Sequence, residues 1–189
     1  MLLQKAELFN QTYKETIKEA LELLGKKNLA LIVQGVSFPS IENENTGFGT
    51  YNSQGAKELF KYVSDIFTAV QLGPCGKTKA SDSSPYTGTV FSKNPLFINL
   101  KDLTSEKWGK ILPQETLDSI IEKNPNKGMN KAAYAYAIEA FKYASSEFYK
   151  NFDKKAPKAI KKEFEKFKKE NAFWLDKDAL YEALTIENN

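Results

Sequence analysis

Two apolar segments bracket one helix-patterned segment early in this chain. Leu29 to Val33 opens an apolar, β-branched stretch over residues 29–38, read as a buried strand. Residues 66–72, Ile66-Phe67-Thr68-Ala69-Val70-Gln71-Leu72, read as a second strand. Between them, residues 55–64 put Leu59, Phe60 and Val63 at helical spacing, with Ser53 placed to cap the first turn. Strand, helix and strand joined in this way form a βαβ unit, whose two strands must run parallel. Parallel strands are normally covered on both faces, and two strands leave two open edges. More sheet is therefore expected to complete the unit.

The flanking segments are of a different kind. Ala6, Phe9, Tyr13, Ile17, Ala20 and Leu24 recur at three- and four-residue steps, so residues 4–24 read as an amphipathic helix that stops at Gly25. Residues 40–54 form a polar loop containing Gly47-Phe48-Gly49, and residues 73–93 form a longer one rich in Ser, Thr, Gly and Pro. Long ordered loops are often functional. Residues 94–100 read as a short extended piece. From about Pro113 onward the chain reads as helical, with Ala133, Ala137, Phe141, Ala144, Phe148 and Phe152 on one face of a long helix. Pro157 is placed to start another, with Ile160, Phe164 and Phe167 pointing inward, and Asp176 to cap a last helix carrying Ala179, Leu180 and Leu184. The lysines from Lys154 to Lys169 read as a solvated face. The organisation expected is an N-terminal helix (1–28), a βα portion with its loops (29–103) and a helical subdomain (104–189).

Composition excludes several kinds of chemistry. The 189 residues contain no histidine, and all 27 basic residues are lysine. No Ser-His-Asp or Cys-His relay and no His-ligated metal site can be built from this chain, nor any forked arginine clamp on phosphate. Cys75 is the single cysteine, so no internal disulfide forms, and a reducing, cytoplasmic setting is expected. A net charge of +3 gives no ground for nucleic acid as a partner. The apolar run Leu29 to Val33 falls far short of the roughly 20 residues of a membrane span, so no membrane is expected either.

Ligands of parallel α/β folds bind at the carboxyl ends of the strands. Two loops leave those ends, residues 37–50 and 73–94. The second presents Ser83-Ser84-Pro85-Tyr86 beside Asp82. A tyrosine held out by a preceding proline suits the apolar C–H face of a sugar ring, whose hydroxyls bond Ser and Asp. The plainer alternative is that Tyr86 packs the loop down. Gly47-x-Gly49 lacks the third glycine and the preceding strand of a dinucleotide loop. The nearby acids, Glu42, Glu44 and Asp82, show no spacing that marks a catalytic pair.

Several pieces in order resemble the start of the 4-α-glucanotransferases (amylomaltases, disproportionating enzymes), relatives of the α-amylases. Ser37-Phe38-Pro39-Ser40 resembles that family's S-L-P-S, Gly47-Phe48-Gly49-Thr50 its G-I-G-D, and residues 55–63 its first helix. Leu72-Gly73-Pro74, Ser84-Pro85-Tyr86 and Asn94-Pro95-Leu96-Phe97-Ile98 resemble its L-G-P, S-P-Y and N-P-x-x-I. Phe173-Trp174-Leu175-Asp176 with residues 179–184 resembles its W-L-D-D-Y-A-L-F-x-A-L. The chain departs from the pattern at Gln34 and Gln71, where the family has proline, and at Thr50, where it has aspartate. The residues Lys77, Thr78, Lys79 and Ala80 lengthen the loop before Ser-Pro-Tyr.

The resemblance implies an α/β fold: a partial (β/α)₈ TIM barrel made of its first two parallel βα units, followed by a helical insertion. It implies retaining transfer of α-1,4-glucan segments between maltodextrins, without organic cofactor or metal. The family's catalytic carboxylates lie on later barrel strands, so no catalytic residue is expected in this chain. Tyr86 carries over as the platform under the reacting sugar, with Ser84 as a nearby contact and Pro85 shaping the loop; Asp82 is a candidate from its own chemistry beside them. The partners expected are α-glucan and the rest of the barrel or a partner chain. A truncated relative that binds glucan or a partner without catalysis is the alternative, and reuse of the fold for an unrelated interaction is a third.

Overall fold

The computed structural model describes residues 2–78, 84, 86 and 92–187, without the side chains of residues 2–11 and of Val36. The elements run α1 (Leu2–Leu23), β1 (Ala30–Val33), α2 (Gln54–Val63), β2 (Ala69–Leu72), α3 (Leu100–Leu103), α4 (Gln114–Glu122), α5 (Tyr134–Lys155) and α6 (Lys158–Glu187). β1 and β2 pair in parallel, Ala30 opposite Ala69 through Val33 opposite Leu72. The expected βαβ unit is therefore present. Gly25 ends α1 in the left-handed conformation at φ +62°, and the Lys26 amide reaches back to the Leu21 carbonyl.

The strands are shorter and more open than their sequence suggests. Residues 29–38 do not form one buried strand. β1 stops at Val33, Gly35–Ser37 winds into a 3₁₀ turn, and Ile32 is 64% exposed. Gly35 lies so close to the Phe97 ring that a methyl group there would overlap it, and Phe38 turns in to meet Phe60 edge-on at 5.4 Å. β2 begins at Ala69 rather than residue 66, because the Ile66 and Phe67 amides both bond the Val63 carbonyl and prolong the winding of α2.

The stretch 94–100 is not extended. The Asn94 side chain accepts from the Leu96 amide, Pro95 opens a 3₁₀ turn, and the Asn99 side chain accepts from the Lys101 amide to start α3. Nor is the chain continuously helical after Pro113. Residues 123–133 turn between α4 and α5, with the Asn124 side chain accepting from the Asn126 amide and Gly128 at φ +76°. α6 runs unbroken through Asp176, so no separate last helix exists. No Gly or Pro interrupts residues 158–187, and a capping residue alone does not break a helix. Phe164 and Phe167 do not point inward. Each is close to half exposed, and they meet Phe152 and Trp174 edge-on.

Three clusters hold the fold. The largest joins α3, α4 and α5 through Leu103, Leu112, Leu117, Ile120, Ala140 and Ala144. Small residues on α5 let its neighbours approach closely, and Leu112 and Leu117 are fully buried. A second joins Phe48, Leu96 and Phe97 to Ala137 of α5. The third is small: Val33, Phe38 and Ala56, with Leu59, Phe60 and Val70 against them. Residues of the long helix therefore share a core with the loops that leave the strand ends. No helix among the described residues is long and apolar enough to cross a membrane.

Candidate functional site

The loop after β1 is anchored from within. Glu44 is buried, and its carboxylate accepts from the Gly55 amide at 2.8 Å, the Gln54 amide at 2.9 Å and the Ile41 amide at 3.2 Å. These donors include the orphan amides at the start of α2, where a negative charge is favoured. Ser53 completes the cap by accepting from the Ala56 amide at 3.0 Å. Gly47, at φ +89°, accepts from the Ala133 amide at 2.7 Å, which fixes the loop to the start of α5. The loop is thus folded into the core, with Phe38, Phe48 and Thr50 buried.

The loop after β2 returns on itself. Gly76 and Lys93 form an antiparallel bridge, the Lys77 amide bonds the Ser92 carbonyl at 3.0 Å, and the Asn94 amide bonds the Cys75 carbonyl at 2.9 Å. Between the two loops, at the carboxyl ends of both strands, lies a cavity of about 370 Å³. Gln34 and Gly35 following β1, and Pro74 and Gly76 following β2, form one side of it. Phe48, Phe97 and Tyr134 give it an aromatic wall, and Tyr86 stands at its mouth.

Tyr86 is 76% exposed, and its amide donates to the Ser84 hydroxyl at 3.4 Å. Ser84 is half-buried. Pro85 and Asp82 lie outside the described residues. Glu42 is exposed, and Glu44 is committed to capping α2, so these two do not make a facing pair of carboxylates. Among the described residues no three or more Cys, Asp or Glu gather as a metal site.

Sequence reasoning passed over Thr78, Asn94 and Tyr134 as parts of this wall. The Thr78 hydroxyl shares a hydrogen bond with the Tyr134 phenol, and the Asn94 side-chain amide donates to Thr78 at 3.2 Å. The Asn94-Pro95 step was the available signal, since it fixes a capped turn at that point. A larger groove of about 910 Å³, mostly apolar, runs between α5, α6 and the stretch 93–103. It is away from the strand ends, and the position between the two strand-end loops favours the smaller cavity as the candidate site.

A comparison with curated proteins finds no match. A comparison with family models does: the 4-alpha-glucanotransferase model matches residues 34–189, taking in both strand-end loops, the Ser-Pro-Tyr segment and all of the helices after β2. With the parallel strand pair and the loops in their expected order, that match over most of the chain means that it belongs to the 4-alpha-glucanotransferase family.

Proposed function

We propose that the strand-end cavity holds a glucose unit of an α-1,4-glucan, with Tyr86 as its stacking platform. The observation that carries this reading is the position of Tyr86: exposed, and at the mouth of a cavity made by the carboxyl ends of two parallel strands. An aromatic ring offers a flat apolar face to the C–H side of a sugar, and Ser84 stands beside it with a hydroxyl. Asp82 and Pro85 complete the loop segment in this reading. The activity served is transfer of α-1,4-glucan segments between maltodextrins, in which one sugar hydroxyl replaces another at the anomeric carbon.

Residues 29–103 supply the binding loops, and residues 104–189 brace them from behind. The carboxylates of the transfer are not Glu42 or Glu44, for the geometric reasons given above. This portion of the family fold binds and orients the glucan; the bond-breaking groups belong to other strands of the barrel.

Calorimetric titration with maltoheptaose tests the reading. Removing one stacking ring should weaken binding about tenfold in Tyr86→Ala, the size expected for an aromatic contact of about 1.5 kcal/mol. Tyr86→Phe and Tyr86→Trp should bind nearly as the native chain. Equal affinity in the native protein and Tyr86→Ala would refute the platform.

A further inference from the structure

The neck of the Tyr86 loop is held from two sides by side chains far away in sequence. On one side the Lys77 ammonium pairs with the Glu182 carboxylate, and the Ser92 hydroxyl donates to the Asp178 carboxylate. Lys77 and Ser92 face each other across the neck through their backbone hydrogen bond. Asp178 and Glu182 are one turn apart on α6, so a single helical face meets both strands of the neck. On the other side Thr78 bonds Tyr134 at the start of α5, with Asn94 joining the pair.

The Lys77–Glu182 pair differs from the other ion pairs of the described residues. Both of its side chains are less than a third exposed, at 29% and 31%, whereas every other pair has at least one partner more exposed than that. Water and salt screen it less. Lys77 and Thr78 also belong to the stretch that lengthens this loop relative to the motif it resembles. The added residues bring their own anchors with them.

We propose that Lys77 and Thr78, with Glu182, Asp178 and Tyr134, form a clasp that positions the Tyr86 loop for glucan binding. These are positioning residues: none of them needs to touch the sugar. A closed neck removes part of the conformational freedom that binding would otherwise have to remove, so the clasp raises affinity by preorganising the loop. The inference rests on the glucan reading of Tyr86, and it also makes a claim about loop order that stands without any ligand.

The test measures both in the full chain. Amide hydrogen exchange over residues 76–94 and maltoheptaose titration are compared for the native protein, Lys77→Met, Glu182→Gln, Tyr134→Phe and the swap Lys77→Glu/Glu182→Lys. Opening the ion pair in Lys77→Met or Glu182→Gln should weaken binding about fivefold, as expected of a part-buried pair. It should also speed exchange at the neck while leaving exchange in α4 unchanged. The swap should recover most of the affinity, which a simple packing role for Lys77 would not allow. Raising salt should weaken the native protein more than Lys77→Met.

Native exchange at the neck in Lys77→Met and Tyr134→Phe would overturn the clasp whatever the ligand data show. Faster exchange with unchanged affinity would overturn its positioning role, provided Tyr86→Ala binds more weakly. Unchanged affinity in Tyr86→Ala refutes the platform instead, and the clasp is then decided by exchange alone. Should Lys77→Met fail to fold, Glu182→Gln and the swap carry the same comparison.

Discussion

Replacing Glu44 with alanine strips the acceptor from three backbone donors at once. The Gly55 bond is buried, so no solvent can take over that amide, while those to Gln54 and Ile41 are partly accessible. A hydrogen bond to a charged group contributes about 1.5–3 kcal/mol net, and a buried donor left without a partner costs about 1–3 kcal/mol. The charge at the start of α2 contributes about 0.3–1 kcal/mol more. Taking the two short bonds near the low end and adding the charge gives a loss of about 3–5 kcal/mol. In a chain of this size that lowers the melting temperature by about 6–20 °C. Glu44→Gln keeps one acceptor oxygen and should lose about half as much. Scanning calorimetry and urea unfolding measure both. A Glu44→Ala protein within about 1 kcal/mol of the native one would show that the carboxylate is not what holds the loop to α2.

Gly109 and Tyr136 give two further expectations. Gly109 sits at φ +68° with the Lys155 carbonyl where a methyl group would have to go, so Gly109→Ala should cost about 2–4 kcal/mol from backbone strain and overlap together. Gly25, at φ +62° in open space, is the control: Gly25→Ala should cost only the strain of about 1–2 kcal/mol, and equal losses at the two sites would contradict the overlap. Burial holds the Tyr136 phenol above its ordinary 10.0, while its hydroxyl donates to the Ile120 carbonyl at 2.5 Å. The protonated phenol therefore stabilises the fold fully below pH 10, and that contribution is lost as the pH rises through the raised value. Urea midpoints between about pH 9 and 12 should fall more steeply for the native protein than for Tyr136→Phe, and parallel profiles would refute the burial effect.

The βαβ unit was legible because its signals are local: Ser53 caps α2, apolar spacing marks the helix, and a helix between two strands makes the crossover that sets them parallel. The boundaries were not, because they depend on distant partners. β1 stops where Gly35 must meet Phe97, more than sixty residues on, and nothing in Val36 or Ser37 announces that contact. Glu44 stood out only as an acid near the strand end. It lies ten residues ahead of Gln54, outside any capping-box spacing, so its role as a cap could not be read. Asp176 reads as a helix start from sequence because a capping residue looks the same in the middle of a helix. Of the site, the exposed Tyr86 could be anticipated from the proline before it. Of the wall, only the capped turn at Asn94-Pro95 carries a local signal; its contacts with Thr78 and Tyr134 could not be read, since they join three segments by side-chain bonds.

The strand pair has four residues in each strand and leans on the smallest of the three clusters, whereas the helices enclose the largest. Mild denaturant should therefore release the pair, and the cleft at its ends, before the helices give way. Far-ultraviolet circular dichroism would register the event weakly, because most of the helical residues lie in α1, α5 and α6, of 22, 22 and 30 residues. A preparation with native helicity can have lost the strand-end cavity entirely, and amide exchange at Val33 and Leu72 is the better measure of an intact molecule.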